Sequence, residues 1–317
     1  MSDYVLGIDI GGTKIAAGCI SADGEVVLDR EVPTDATDAL AVTAALHGLV
    51  DGVLADAAER GLTVGDAIGI GSAGPVDTRS GTVNPVNIVS LRGFPLTATV
   101  ADRATERLGR PVRAVVAQDG QCFAAAEQWV GAGVGAASML GVVVSTGIGG
   151  GIVLDGHLLA GKTGNAGFIS HVGVELDGLV LPGSGALGVV ESYASGPAMV
   201  RAALARGWRA GETVDARVLT GDARDGDPLA LDVIARGTRA LASAFLSVAA
   251  LFDLEQIVVG GGVASAGDVL FTPLRAAYAE LAVYPHLADV AITPARLPRG
   301  SGLIGAGRLG WQALEGA

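Results

Sequence analysis

The chain has 317 residues, half of them hydrophobic, 17% charged and only 4% aromatic. That composition excludes a disordered chain, and the length exceeds what one hydrophobic core usually supports, so two lobes are expected. The net charge of −12 argues against sequence-independent binding of nucleic acid, which needs Lys and Arg to neutralise phosphates, but is compatible with a nucleotide held by local loops and a metal.

In chain order, MSDYVLG shows no basic segment followed by an apolar stretch, hence no secretory signal and a cytoplasmic expectation. Residues 7–14, GIDIGGTK, read as a strand that delivers Asp9 to its end and turns through Gly11 and Gly12 onto Thr13 and Lys14. Paired glycines let backbone N–H groups approach an anion, the Thr13 hydroxyl adds a donor, and Asp9 can hold a hydrated metal. A second apolar run, IAAGCI, then meets Asp23-Gly24, a hairpin signal. No helix follows the glycines directly, against a Rossmann fingerprint, and the order Gly12-Thr13-Lys14 is not that of a Walker loop.

Residues 38–60 carry Leu40, Val42, Leu46, Leu49, Val50, Val53 and Leu54 at helical spacing, with Gly61 as a stop. A strand leaves through a Gly/Pro turn at 67–77, a helix spans 97–108, and a strand from Val112 to Ala117 places Gln118 and Asp119 at its carboxyl end before a helix over 122–130. By position alone Asp119 is either a helix cap or a carboxylate able to take a proton from an attacking hydroxyl.

At 141–156, GVVVSTGIGGGIVLDG repeats the opening pattern of strand, small turn through Ser145, Thr146, Gly147 and Gly149, strand and Asp-Gly, and an internal duplication is the economical reading. Helices are expected at 192–206, 228–252 and 268–282 and from 302 onward, with the strand QIVVGGGV at 256–263. The apolar stretch 240–252 is too short to span a bilayer and reads as a buried helix, so no membrane partner is expected. Glycine, at 49 residues, is about twice its usual frequency of ~7%, and much of the excess is expected in turns between apolar runs. Cys19 and Cys122 make neither a disulfide framework nor a four-ligand zinc site.

GIDIGGTK, GSAGPVD (71–77), NIVSLRGFPL (87–96), QDGQCFAAAEQWVGAG (118–133), STGIGGGIVLDG (145–156), ESYASG (191–196) and VVGGGV (258–263) together resemble the ROK family of sugar kinases and related repressors. The resemblance runs in order along nearly the whole chain. It implies an α/β, two-lobed, actin-like (ribonuclease H-like) ATPase fold with the nucleotide in the interlobe cleft, divided into residues 1–118 plus the C-terminal helix 302–317, and residues 119–301. It implies ATP and Mg²⁺ as cofactors, a small-molecule sugar as partner, and a homodimer.

Carried over residue by residue, it places Asp9, Gly11, Gly12, Thr13, Lys14, Thr146 and Gly147 around the phosphates and the metal, with Asp9 holding Mg²⁺ through water. Gly261 and Gly262 fall near the adenosine, and Asp119 aligns with the general base. Sugar contacts come from Gly74, Asn87, Gln118, Phe168, His171 and Glu191. Each also has a plainer reading: Gly74 a turn, Asn87 a loop cap, His171 a surface histidine, Glu191 a helix start.

Departures cluster on the sugar side. Phe168-Ile169-Ser170-His171 stands where the family usually has Glu-x-Gly-His, which removes a carboxylate acceptor for sugar hydroxyls and leaves a ring that can stack on a pyranose or cover an acyl or deoxy group. Pro182, Ser184 and Val189 replace the three cysteines of the family's zinc loop, so no structural zinc is expected and His171 must be oriented by packing or a hydrogen bond. Gln118 replaces the usual Asn before the base. The leading expectation is an ATP-dependent kinase acting on a hexose or modified hexose. The alternatives are an N-acylmannosamine or N-acylglucosamine kinase, and a catalytically retired sugar-binding sensor without a DNA-binding segment.

Overall fold

The computed structural model describes residues 3–35, 37–85, 88–297 and 300–316. The chain divides into two compact units, Met1–Val134 with Leu158–Ala166 and Leu297–Ala317, and Gly135–His157 with Gly167–Arg296. The first unit includes the helix starting at Asp119, which packs against the C-terminal helix.

In the first unit, strands β1 (Tyr4–Ile10), β2 (Lys14–Ser21) and β3 (Val26–Pro33) form an antiparallel meander. Helix α1 (Ala39–Glu59) leads to β4 (Val64–Ser72), the ribbon β5 (Val76–Asp77) and β6 (Thr82–Val83), helix α2 (Leu96–Leu108), β7 (Arg113–Gln118) and helix α3 (Asp119–Val130). The main sheet has the order β3-β2-β1-β4-β7, with β1, β4 and β7 parallel. Asp38 caps α1 by accepting the Leu40 N–H, worth about 1 kcal/mol in a typical helix. Val42, Leu46, Leu49, Val50, Val53 and Leu54 are buried on the sheet, whereas Leu40 is 76% exposed. Two residues before Val42 it lies some 200° round the helix, off the apolar stripe.

The C-terminal helix, Ser301–Glu315, packs on this sheet almost backbone to backbone. A Cβ on Gly69 would strike the Ala306 carbonyl, one on Gly305 the Cys122 carbonyl, and one on Gly7 would sit 3.0 Å from the Leu303 carbonyl oxygen. Part of the glycine excess therefore serves helix-to-sheet contact and not turns, a use that periodicity does not reveal.

In the second unit, β8 (Ser138–Val144), β9 (Ile148–Leu154) and β10 (His157–Leu158) are followed by α4 (Glu191–Ala194), α5 (Gly196–Ala205), α6 (Ala216–Arg224), α7 (Pro228–Phe252), β11 (Gln256–Gly260), α8 (Asp268–Leu281), α9 (Pro285–Ala288) and β12 (Ala291–Pro294). The order β10-β9-β8-β11-β12 repeats that of the first sheet, with β8/β9 antiparallel and β8/β11/β12 parallel. The expected helix 192–206 is broken at Ser195, which is extended (φ −68°, ψ 152°), because Pro197 starts a new helix with no N–H to give the old one. The helices α1 and α7 are long and apolar enough, by length and composition, to cross a membrane. Each buries an apolar face within its own unit, α7 through Val233, Ile234, Leu241, Phe245 and Val248.

Candidate functional site

In the first unit, the central strand β1 carries Asp9 near its carboxyl end, and β7, separated from β1 by β4, runs into Asp119, the first residue of α3. Asp9 lies against the first turn of the C-terminal helix, where a Cβ on Gly302 would fall 2.5–2.8 Å from its carboxylate atoms. Burial first, and then the charge of Asp119, push the Asp9 pKa up to about 6, with Lys14 acting weakly in the opposite direction. Burial also raises the Asp119 pKa, offset in part by the Gly120 N–H that donates to Oδ1 at 2.7 Å. The buried Cys122 thiol beneath them is raised well above its ordinary value, by burial and then by both carboxylates.

The turn between β1 and β2 is pinned from below: the Gly11 N–H donates to the Lys14 carbonyl at 3.0 Å and the Thr34 hydroxyl to the Gly11 carbonyl at 2.8 Å. Nothing lies within 4 Å of where a Gly12 Cβ would be. Among the described residues, the N–H groups of Gly12 and Thr13 donate to no protein acceptor. The ammonium of Lys14 is held in an exposed pair with Glu31 at 2.5 Å.

Gly74 and Gln118 are brought together, and a Cβ on Gly74 would fall 2.5 Å from Gln118 Oε1. Gln118 is engaged by protein on both sides, accepting from Gln121 in a capping box and donating from Nε2 to Asn165 Oδ1 at 2.8 Å. Asn165 in turn accepts the Val76 N–H at 2.9 Å and donates to the Val76 carbonyl at 2.6 Å. Asn165 is therefore the centre of this network. Sequence reasoning passed over it because its partners lie far away in sequence. Asn87 lies outside the described residues.

In the second unit, the turn Ser145-Thr146-Gly147 is fixed by three backbone bonds. Ser145 N–H donates to the Gly147 carbonyl at 2.9 Å, Gly196 at the start of α5 to the Ser145 carbonyl at 2.8 Å, and Val263 to the Val144 carbonyl at 3.0 Å. Gly261 has φ +92° and no room for a Cβ over Val144, so only glycine fits there. These segments wall a cavity of about 380 Å³ lined by Thr146, Gly196, Arg201, Arg217 and Gly262 among others, within the usual range of small-molecule sites. Asp215, also in its wall, is occupied as the cap of α6, accepting from Arg217 and Val218.

Phe168, Ser170 and His171 stand together on one short helical turn. The Phe168 and His171 rings are 4.9 Å apart, and Ser170 Oγ meets His171 Nδ1 at 2.9 Å, so His171 is oriented by both packing and a hydrogen bond. Glu191 opens α4, and its Oε2 accepts the Ile148 N–H at 2.6 Å beside the Gly147 turn. Residues 182, 184 and 189 lie in a loop closed by backbone bonds such as Leu181 N–H to the Ala186 carbonyl at 2.7 Å. Among the described residues, no three His, Cys, Asp or Glu side chains converge on a metal position.

The chain is 37% identical over 308 residues to the N-acetylmannosamine kinase of Escherichia coli, covering 96% of this chain and 97% of that one. Its structure is similar to that of a ROK hexokinase from Thermus thermophilus, with a TM-score of 0.87, 32% identity and coverage of 99% and 100%. It is also similar to a ROK family glucokinase from Streptomyces griseus in complex with glucose and AMPPNP, with a TM-score of 0.76, 32% identity and coverage of 98% and 99%. The repeated sheet order is that of the actin-like ATPase fold these enzymes carry. Residues 5–312 match the sequence model of the ROK family, and with two phosphate-type turns and paired carboxylates in place the chain belongs to that family.

Proposed function

We propose that the protein is an ATP-dependent carbohydrate kinase that transfers the γ-phosphoryl group of ATP to a hydroxyl of a hexose or modified hexose. The observation that carries this reading is Asp119 at the junction of β7 and α3, a carboxylate whose pKa is raised by burial and whose charge acts on Asp9. A raised carboxylate pKa makes a better proton acceptor. Asp119 takes the proton of the acceptor hydroxyl as its oxygen bonds to the γ-phosphorus and ADP leaves. The free N–H groups of Gly12 and Thr13 suit phosphate oxygens, as does the turn at Thr146 and Gly147, and the cavity at Gly262 suits the adenosine.

Asp9 and Asp119 are hard oxygen donors, and Lys14, whose charge acts on Asp9, is already paired with Glu31, a donor set that fits a hydrated Mg²⁺ held through Asp9. When bound, Mg²⁺ neutralises charge on the phosphate oxygens. Gly74, Asn87, Gln118, Phe168, His171 and Glu191 make up the sugar side, Gln118 acting through the Asn165 network. A homodimer belongs to the same reading, and sedimentation checks it.

The Phe168 ring, 37% exposed and in tilted contact with His171, favours a second reading within the kinases, an N-acylhexosamine acceptor whose acyl group covers the ring. ADP release from Mg-ATP across hexoses, deoxyhexoses, N-acylhexosamines and polyols decides between them. Asp119→Asn is expected to lower kcat by roughly 10²–10⁴-fold with little change in the KM for ATP. Silence across the whole panel with ATP still bound would replace the kinase by a retired sugar-binding sensor.

A further inference from the structure

Between His171 and Glu191, the sugar-side pair of the second unit, residues 172–190 make an excursion with no helix and no strand of the main sheet. Its own backbone bonds close it. Val190 N–H donates to the Val172 carbonyl at 2.9 Å, Val174 N–H to Gly188 at 2.8 Å, and Gly188 N–H to Leu179 at 2.9 Å. These bonds hold the excursion together, and at its C-terminal end the N–H groups of Ser192, Tyr193 and Ala194 on α4 donate to the Val189 and Val190 carbonyls.

Side chains tie the middle of the excursion to α4 and α7. The Tyr193 hydroxyl, on α4, accepts the Leu179 N–H at 2.6 Å. The Tyr193 ring is only 7% exposed. Arg236, on α7, lies over that ring, 5.3 Å from its centroid, and reaches the Glu175 carboxylate at 3.6 Å. The fit is close enough that a Cβ on Gly178 would strike the Tyr193 hydroxyl. Burial first, then the Glu175 carboxylate, raise the Tyr193 pKa, which keeps the phenol protonated with a hydrogen to give. Two residues apart on one helical turn, Glu191 and Tyr193 point in nearly opposite directions. Glu191 holds the Ile148 N–H and Tyr193 holds the excursion.

The geometry points to Tyr193 as a positioning residue for His171 and Glu191, its hydroxyl locking the excursion at Leu179 while Arg236 and Glu175 clamp the ring from α7 and from the excursion itself. This rests on the reading that His171 and Glu191 face the sugar. Tyr193 touches neither sugar nor nucleotide in this assignment. It sets the spacing of two residues that do.

Tyr193→Phe keeps the ring and its arginine contact and removes only the hydroxyl. The expected result is a rise of roughly 3–10-fold in the KM for sugar, the loss of about one hydrogen bond, with kcat and the KM for ATP within about twofold. Backbone hydrogen exchange over 173–190 should accelerate, most at Leu179. Arg236→Met, made from the exposed side, should move the same quantities less, and it serves as the second variant if Tyr193→Phe folds poorly. Unchanged sugar KM and unchanged exchange would overturn the assignment, as would equal rises in the two KM values, which mark general loosening. A wild type that phosphorylates no sugar would defeat the kinase reading instead. Exchange would then decide alone, and an excursion equally protected in Tyr193→Phe would overturn the role given to Tyr193.

Discussion

The two sheets share one strand order, yet the carboxylates stand in only one of them. In the first unit β1 brings Asp9 and β7 runs into Asp119, whereas in the second β8 runs into Ser145-Thr146 and β12 ends at Pro294. The second unit offers a helix start at Gly196 and a cavity at the corresponding end of its sheet. A duplicated backbone thus supplies the same anion-tolerant turn twice, while acid–base chemistry needs titratable groups in one copy only. The cost falls on that copy. Asp9, half-buried and pressed by the charge of the exposed Asp119, with Lys14 acting in the opposite direction, makes the first unit's site electrostatically unfavourable to its own fold.

The sharpest way to break this contrast is Asp9→Asn. The Asp9 pKa rises from 3.8 to about 6 on folding, so between those values the native state binds more protons than the unfolded chain and stability falls as pH rises. At pH 7–8 the amide should stabilise the metal-free protein by up to about 3 kcal/mol, a gain that shrinks as pH falls through 6 and vanishes below about 4. Urea melts of both proteins at pH 3.5, 5 and 7.5, with chelator present, read it directly. A pH-independent difference would mean that the carboxylate is not raised.

A second contrast sets two glycines of the first unit against each other. Ala at 302 puts a methyl 2.5–2.8 Å from the Asp9 carboxylate, an overpacking cost of about 1–3 kcal/mol, against which the gain in helix propensity is at most about 1 kcal/mol. Ala at 12 meets nothing within 4 Å and needs no left-handed φ. Gly302→Ala should therefore lower the melting temperature, while Gly12→Ala leaves it unchanged and raises the KM for ATP by roughly tenfold, because the new methyl keeps the phosphate from the backbone N–H and weakens about one charged hydrogen bond. Equal melting shifts would place the role of Gly12 in the fold instead of the ligand.

How far the sequence could be read follows the range of the interactions. The turn at Gly11-Gly12, the second turn at Thr146-Gly147, the long helices and Asp119 at its strand–helix junction are local patterns, and each has its counterpart in the structure. Asn165 and Tyr193 were not legible because their partners, Val76 and Leu179, are 89 and 14 residues away. The glycines of the C-terminal helix were not legible because close backbone approach leaves no hydrophobic period. The break at Ser195 had a local signal, Pro197, which the apolar spacing across 192–206 masked. The contact of α3 with the C-terminal helix was not legible either, since it joins residues far apart in the chain.

The smallest expected effect tests whether the sugar side replaces one fixed geometry with another. Ser170 is 3% exposed, and its Oγ meets His171 Nδ1 at 2.9 Å, while Phe168 holds the same ring by packing. Ser170→Ala removes the hydrogen bond and keeps the ring contact. A net hydrogen bond is worth about 0.5–1.5 kcal/mol, so the KM for sugar should rise only a few-fold, with kcat, the KM for ATP and the melting temperature nearly constant. Phe168→Ala removes the ring contact and keeps the hydrogen bond. If each side chain orients His171 independently, the double variant should show the product of the two single effects. A double variant no worse than either single one would mean that serine and phenylalanine act as a unit, His171 being held only when both are present.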